Sequence, residues 1–422
     1  MRARTLCTLF LVVLSLGCES DDAGAAMVVD AANDAGASSL CEHVEPDGVG
    51  VASASFGAGA LRLEPIAALA GAPAAAVVES KAQGLGGLVA HRDGLIALGW
   101  TGFWDIDRGG SKRWIELGTF VTGAVAGDVD GDGDQDAMIL SYTVEVGRGL
   151  VTHLLVFERT ADGLVQRTEA RESAGVIGMP FVFHDLDADG DLDILTHEGG
   201  ALVAYVDDGA FAFARQQLGE PLEGYTDSGA IAVADLSDRD DDGVEDLLFV
   251  IGRAGRESGI TVVEQAYVVL PGDEEGGFKP AVVSGNQETT AAGLNIADVT
   301  GDGIADVITQ QNDGTPRLHL VRSVDATSFA APVDIGLGAG VQFADADGDG
   351  TRDIITTLEG DRLVALIARD DDAEGAFELH ELDIELNATL LAFTGESASD
   401  GAPPRLHVLY QCPGATDGGS SP

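Results

Sequence analysis

Residues Gly127–Leu140, "GDVDGDGDQDAMIL", place five aspartates, Asp128, Asp130, Asp132, Asp134 and Asp136, directly against an apolar run, Ala137 to Leu140. Carboxylates about 6 Å apart repel by roughly 0.7 kcal/mol per pair in water, and several times more where partly buried. A chain that builds this once needs a reason, and here it recurs. The later copies are "HDLDADGDLDILT" (His184–Thr196), "SDRDDDGVEDLLFV" (Ser237–Val250), "ADVTGDGIADVIT" (Ala297–Thr309) and "ADADGDGTRDIIT" (Ala344–Thr356). Their first acidic positions, 128, 185, 238, 298 and 345, repeat at about fifty residues.

The surroundings repeat too. An apolar stretch precedes each acidic loop ("TGAVAG", "MPFVFH", "GAIAVA", "GLNIA", "AGVQFA") and a β-like run follows it. A second run comes next ("THLLVFE", "ALVAYV", "AYVVL", "PRLHLV", "RLVALIA"), then a turn that often holds Phe, then a fourth strand. Four short strands per fifty-residue unit is the arithmetic of a β-propeller blade. Two weaker units, "GLVAHRDGLIALGW" (Gly87–Trp100) and "ATLLAFTGESASDGAPPRLHVLY" (Ala388–Tyr410), bracket the five clear ones. The expected fold is all-β, a seven-bladed β-propeller of four-stranded antiparallel blades, with six or eight blades as alternatives.

Within each unit the acidic loop follows Asp-x-Asp-x-Asp-Gly-x-x-Asp. The first loop fits at Asp128, Asp130, Asp132, Gly133 and Asp136, and the second at Asp185, Asp187, Asp189, Gly190 and Asp193. The third fits at Asp238, Asp240, Asp242, Gly243 and Asp246, with Asp235 as a rival first ligand. The fourth has Asp298, Thr300, Asp302, Gly303 and Asp306; the fifth has Asp345, Asp347, Asp349, Gly350 and Asp353. The seventh position (Asp134, Asp191, Val244, Ile304, Thr351) would offer its backbone carbonyl. A hard divalent cation turns the repulsion into attraction, and calcium takes six to eight oxygens from a flexible loop whose glycine permits the sharp turn. Magnesium's small octahedral shell suits so crowded a loop poorly, and zinc would want Cys or His. The expected cofactor is therefore Ca2+, at about five sites. An EF-hand would need Glu at position twelve, where this chain has Ile139, Thr196, Phe249, Thr309 and Thr356.

On these five acidic loops, Cys41 to Cys412 resembles the FG-GAP/VCBS repeat family, the calcium-binding propellers of integrin α-subunits and many bacterial surface proteins. "SFGAGA" (Ser55–Ala60) echoes the Phe-Gly and Gly-Ala-Pro signature for which the repeat is named. The resemblance implies calcium that stiffens each blade away from any catalytic centre, and partner binding through the other, variable loops.

Composition narrows the partners. Seventy-one acidic residues against 23 basic give a formal net charge of −48, a field that repels phosphate backbones and excludes nucleic acid as an expected partner. Hydrophobic residues at 45% provide for a core. "MRARTLCTLFLVVLSLGC" has two arginines, a short apolar run and Gly17-Cys18, the outline of a secretory leader of the bacterial lipoprotein kind. The expected layout is a signal peptide at 1–17, a tether at 18–40 acylated on Cys18, the propeller at 41–412 and a flexible tail at 413–422. The expected location is the outer membrane or cell surface, held through the lipid alone, with a periplasmic or secreted protein as the alternative.

Cys7 and Cys18 belong to the leader and the lipid site, which leaves Cys41 and Cys412 to bracket the repeats. If "LHVLYQC" is the second strand of the last blade, "VGVASASF" and "LRLEPI" supply its third and fourth. A Cys41–Cys412 disulfide would then replace the hairpin turn; two free thiols are the alternative.

No GxSxG, HExxH or P-loop pattern occurs, and paired carboxylates cannot be singled out among so many. Trp100, Phe103, Trp104 and Trp114 fit a sugar-stacking patch or, more ordinarily, filling between blades. His184 reads as a strand-end residue. The leading expectation is a monomeric propeller presenting a face to protein or glycan at the cell surface. A carbohydrate-active enzyme, lyase or hydrolase, is the second.

Overall fold

The computed structural model describes residues 44, 49–56, 64–69, 87–99, 101–147, 149–173, 182–187, 189–198, 201–207, 211–218, 231–257, 260–273, 277–289, 291–312, 315–358, 362–368, 377–382, 389–396 and 405–412. Segments 1–17, 18–40 and 413–422, with Cys18 and Cys41, lie outside them.

Twenty-eight strands among the described residues form seven four-stranded antiparallel sheets. The first two, β1 (Val49–Ser55) and β2 (Glu64–Leu69), belong to the last blade. Blade 1 holds β3 (Leu88–His91), β4 (Gly94–Leu98), β5 (Gly102–Asp107) and β6 (Lys112–Glu116). Blade 2 holds β7 (Phe120–Gly127), β8 (Asp136–Glu145), β9 (Gly149–Thr160) and β10 (Gly163–Ser173). Blade 3 holds β11 (Val182–His184), β12 (Asp193–Glu198), β13 (Ala201–Val206) and β14 (Ala214–Gln217). Blade 4 holds β15 (Ile231–Ser237), β16 (Asp246–Glu257), β17 (Ile260–Leu270) and β18 (Val282–Thr289). Blade 5 holds β19 (Ala291–Ala297), β20 (Asp306–Asn312), β21 (Pro316–Val321) and β22 (Val333–Leu337). Blade 6 holds β23 (Ala339–Ala344), β24 (Asp353–Leu358), β25 (Arg362–Ala368) and β26 (Phe377–Glu381). Blade 7 takes β27 (Thr389–Glu396) and β28 (Arg405–Gln411) from the C-terminal side and β1 and β2 from the N-terminal side, in the order β2-β1-β28-β27.

Burial explains why the second strands read as unbroken apolar runs. Each is covered on both faces, so successive residues serve different neighbours. Ile139 packs with Ile96 and Phe103 of blade 1, whereas Met138 and Leu140 pack with Ile194 and Tyr205 of blade 3. The same parity repeats around the ring: Phe249 faces blade 3 and Val250 faces blade 5, and Ile354 faces blade 5 and Ile355 faces blade 7. Seven apolar clusters among the described residues therefore form seven seams, the last joining Val51 and Leu409 of blade 7 to Leu88 and Ile106 of blade 1. That seam makes the arrangement a closed ring, a seven-bladed β-propeller. The outermost strands carry the polar load, and all four residues of β14 are exposed.

Blade 7 joins the chain ends through the pairing of β1 with β28, from Val49 opposite Gln411 to Ser55 opposite Arg405. The N-terminal segments expected to complete this blade do so, with β2 displaced a few residues from "LRLEPI" to Glu64–Leu69. Cys412, one residue past β28, is buried and disulfide-bonded.

Blades 1 and 2 share a polar seam as well. The Arg159 guanidinium donates to Asp105 at 2.9 Å; Asp105 is buried and Arg159 partly so. Asp105 also accepts from Leu164 N–H at 3.2 Å, and Asp93, in the turn between β3 and β4, accepts from Gln135 N–H at 2.9 Å. Removing one partner of a buried pair strands the other charge. Asp105→Ala is therefore expected to destabilise by about 3 kcal/mol in chemical denaturation, and a loss below about 1 kcal/mol would show that the pair is dispensable.

Candidate metal centre

Loops I to V (Asp128–Asp136, Asp185–Asp193, Asp238–Asp246, Asp298–Asp306 and Asp345–Asp353) join the first and second strands of blades 2 to 6. First strands hold the same place in successive blades, so all five loops open on one face. Loops I and II touch there, Leu192 N–H donating to the Val129 carbonyl at 2.9 Å.

One hydrogen-bond scheme shapes all five. The first carboxylate accepts the N–H of the sixth-position glycine: Asp128 from Gly133 (3.0 Å), Asp185 from Gly190 (3.1 Å), Asp238 from Gly243 (2.9 Å), Asp298 from Gly303 (2.9 Å) and Asp345 from Gly350 (3.1 Å). Those glycines have φ between +87° and +101°, a left-handed turn that an L side chain resists and that folds the loop back over its first residue. The fifth carboxylate accepts the N–H of position seven: Asp132 from Asp134, Asp189 from Asp191, Asp242 from Val244, Asp302 from Ile304 and Asp349 from Thr351. Position seven thus enters the observed scheme through its N–H.

The closing carboxylates at position nine are hubs. One oxygen of Asp136, Asp193, Asp246, Asp306 and Asp353 accepts an N–H from the end of the third strand or just beyond it, from Arg159, Asp207, Gly272, Ser323 and Ala368 in turn. In loops I, II, III and V the other oxygen accepts the N–H of position two, from Val129, Leu186, Arg239 and Ala346. In loop IV it accepts the Thr300 hydroxyl at 3.1 Å. The hub ties the loop to the blade, and each oxygen keeps a second lone pair.

Four loops bring three carboxylates together with ligand oxygens within 4.8 Å of one another: Asp128, Asp130 and Asp136; Asp185, Asp187 and Asp189; Asp238, Asp240 and Asp246; Asp345, Asp347 and Asp353. Loop II is gathered through its fifth position instead of its ninth, and loop IV has the Thr300 hydroxyl where the others have a carboxylate. Asp235 stands apart from the loop III group and accepts the Ser237 hydroxyl at 2.9 Å. The donor set is all oxygen, which suits a hard cation, and Asp128 Oδ1 is buried with no hydrogen-bond partner. A buried carboxylate oxygen left bare is unfavourable unless a cation meets it. These residues fit calcium.

Burial drives the electrostatics. It pushes the Asp136, Asp193 and Asp353 carboxyls up to about 6 and Asp306 up to about 7, against lowering by their N–H donors; Asp246 and Asp130 are raised for the same first reason. A carboxyl raised in the fold binds protons more tightly there than in the unfolded chain. Its stabilisation is complete below about pH 4 and is lost as pH rises through 6 to 7. In calcium-free buffer the melting temperature is thus expected to fall between pH 5 and pH 7.5. Calcium competes with those protons, so the gain from 1 mM calcium should widen over the same interval; a constant gain would mean the hubs do not face the ion.

Among the other expected residues, Phe103 meets Phe157 edge-on at 5.1 Å in the seam between blades 1 and 2. Trp104 fills the seam between blades 7 and 1 beside Trp114, at 5.3 Å. The filling role thus describes these two rings; Trp100 lies outside the described residues. His184 ends β11 and approaches Glu245 at 3.5 Å. Arg239 is the residue sequence reasoning passed over. At the second position of loop III, where the other loops have Val129, Leu186, Val299 and Ala346, its side chain is 2% exposed. Its only signal was that break in an apolar series.

No family model matches the chain, and no curated protein matches it. Among solved structures, a lectin of Agrocybe aegerita, described by its specific recognition of non-reducing terminal N-acetylglucosamine, aligns at 17% identity over 87% of this chain and 96% of its own, with a TM-score of 0.49. A 6-phosphogluconolactonase assigned in Bacteroides uniformis aligns at 13% identity, 80% and 96% coverage and a TM-score of 0.45. The PQQ-bound aldose sugar dehydrogenase of Streptomyces coelicolor aligns at 15%, 78% and 93%, with a TM-score of 0.33. Matches this loose carry no inference about ligand or chemistry.

Proposed function

We propose that the chain is an FG-GAP/VCBS-type propeller, exported and lipid-anchored at Cys18, that binds about five calcium ions and presents its opposite face to a protein or glycan ligand. The observation that carries the ion assignment is the recurrence of one oxygen-lined loop in five successive blades, with a bare buried carboxylate oxygen in the first. Asp128, Asp130, Asp132 and Asp136 and their counterparts would hold the ion, joined by the carbonyl of position seven. Calcium would supply positive charge that cancels carboxylate repulsion where the loop crosses to the second strand.

The presenting face is the one remote from the loops. Two hairpins stand out there: β8–β9 stays paired to Glu145 opposite Gly149, and β16–β17 to Glu257 opposite Ile260. The blade between them, blade 3, ends its corresponding pairing at Glu198 opposite Ala201. Val144 and Val146, at the tip of β8–β9, are exposed apolar side chains.

A glycan array and a protein pull-down, run beside turnover assays on polysaccharides, test this reading. The expected outcome is retention of a ligand without turnover, with Val144→Asp/Val146→Asp reducing retention at least tenfold. Turnover abolished by a single substitution outside the loops would replace it with the carbohydrate-active enzyme.

A further inference from the structure

We propose that Arg239 is a positioning residue that couples ion occupancy of loop III to that of loop IV. The inference rests on the calcium reading of those loops and adds a device to it. Arg239 lies between Asp238 and Asp240, and its N–H donates to the closing carboxylate of its own loop, Asp246, at 3.0 Å. Its side chain crosses the seam into blade 5. There Nη1 donates to the Ala305 carbonyl (3.1 Å), Nη2 to Ser323 Oγ (2.9 Å) and Nε to the Ala326 carbonyl (3.0 Å).

Those acceptors lead directly to loop IV. Ala305 precedes its closing carboxylate, Asp306, and Ser323 N–H donates to that carboxylate at 2.9 Å. Ser323 Oγ also donates to the Ala305 carbonyl at 2.6 Å. One residue therefore holds Asp246 through its backbone and Asp306 through its guanidinium and Ser323. The guanidinium lies 5.6 Å from the centre of the Phe329 ring, which stacks on Tyr267 at 4.5 Å. So enclosed a group has little room to yield. An ion that draws Asp238, Asp240 and Asp246 inward fixes the backbone at 239, and the planar, forked side chain transmits that position across the seam. The second-position side chains of the other loops, Val129, Leu186, Val299 and Ala346, have no hydrogen-bonding group. Coupling of this kind is reciprocal, so each site must strengthen the other by the same factor.

Calcium titration of the full chain labelled with 15N-glycine tests it, because Gly243 and Gly303 each donate to the first carboxylate of their own loop and report on that loop. Disabling loop III with Asp238→Asn/Asp240→Asn is expected to move the Gly303 midpoint about tenfold to higher calcium. Disabling loop I with Asp128→Asn/Asp130→Asn should leave it within twofold. In an Arg239→Met background the effect of loop III on Gly303 should vanish. Should that variant not fold, Ser323→Ala removes the Nη2 acceptor while keeping the 323 N–H, and should shrink the effect likewise.

A Gly303 midpoint indifferent to loop III, or a shift that survives in Arg239→Met, overturns the coupling. If none of Gly133, Gly190, Gly243, Gly303 and Gly350 responds to calcium, the ion reading falls and takes the coupling with it. Five responses with loop-independent midpoints remove the coupling alone.

Discussion

Stripping calcium from the full chain is expected to lower its melting temperature by roughly 10–15 °C. A site with a dissociation constant near 0.1 mM stabilises by roughly 1.4 kcal/mol at millimolar ion, and about five such sites reach roughly 7 kcal/mol. About 2 °C per kcal/mol for a ring of this size gives the shift. The loops make the effect large because they stand at the seams. Each closing carboxylate fastens its loop to the third strand, so a loop that springs apart by repulsion loosens a blade edge.

Two variants separate the ion's share from the hub's. Asp130→Asn removes a third-position ligand and should lower stability only when calcium is present. Asp136→Ala leaves two N–H groups without their acceptor, the buried one of Val129 and the partly buried one of Arg159. It should cost about 3 kcal/mol or more with or without calcium. Equal melting with and without the ion, or an Asp130→Asn loss that persists in chelator, would contradict this.

Breaking the disulfide at Cys412 is expected to be the most damaging single change. Blade 7 is built from both ends of the propeller, and β1 pairs with β28 just before Cys412. With Cys41 as the partner, the bond closes a loop of about 370 residues, which in the chain-entropy model stabilises by about 6 kcal/mol. Cys412 is also packed in the seam between blades 6 and 7 with Ile355, Leu406 and Tyr410. Cys412→Ser should therefore lower the denaturant midpoint more than any single-loop variant, and Cys41→Ser should match it. A non-reduced digest should contain the two cysteines in one linked peptide. Both thiols alkylating without reductant, or a midpoint unchanged in Cys412→Ser, would overturn that pairing.

How much of this was legible in the sequence follows from where each interaction lies along the chain. The acidic loop, its glycine and the apolar run behind it are neighbours in sequence, so their repetition exposed five blades, and the two weaker units beside them brought the expected count to seven, with six or eight as alternatives. Even the two weak units could be placed, because "VAHRDGLIAL" keeps the strand–turn–strand outline without carboxylates; the structure turns it at Arg92 and Asp93 between β3 and β4. The hub role of Asp136 was not legible. Position nine reads as one more ligand, and its Arg159 donor lies 23 residues away. Arg239 was still more remote, since its partners stand 66 to 87 residues further on and meet it only once two blades are packed. The long hairpins of blades 2 and 4 were obscured because a strand's end is set by where pairing stops, which local composition marks weakly. Contacts between neighbours along the chain could be read; those set by strand pairing or packing farther apart, inside a blade as at Asp136 and Arg159 or between blades as at Arg239, could not.

The most direct test of the ion assignment is a count. Native mass spectrometry of the full chain in millimolar calcium should show about five ions bound per molecule, and four after Asp128→Asn/Asp130→Asn/Asp136→Asn. A protein that carries no calcium under those conditions, or a count that this triple substitution leaves untouched, would contradict it.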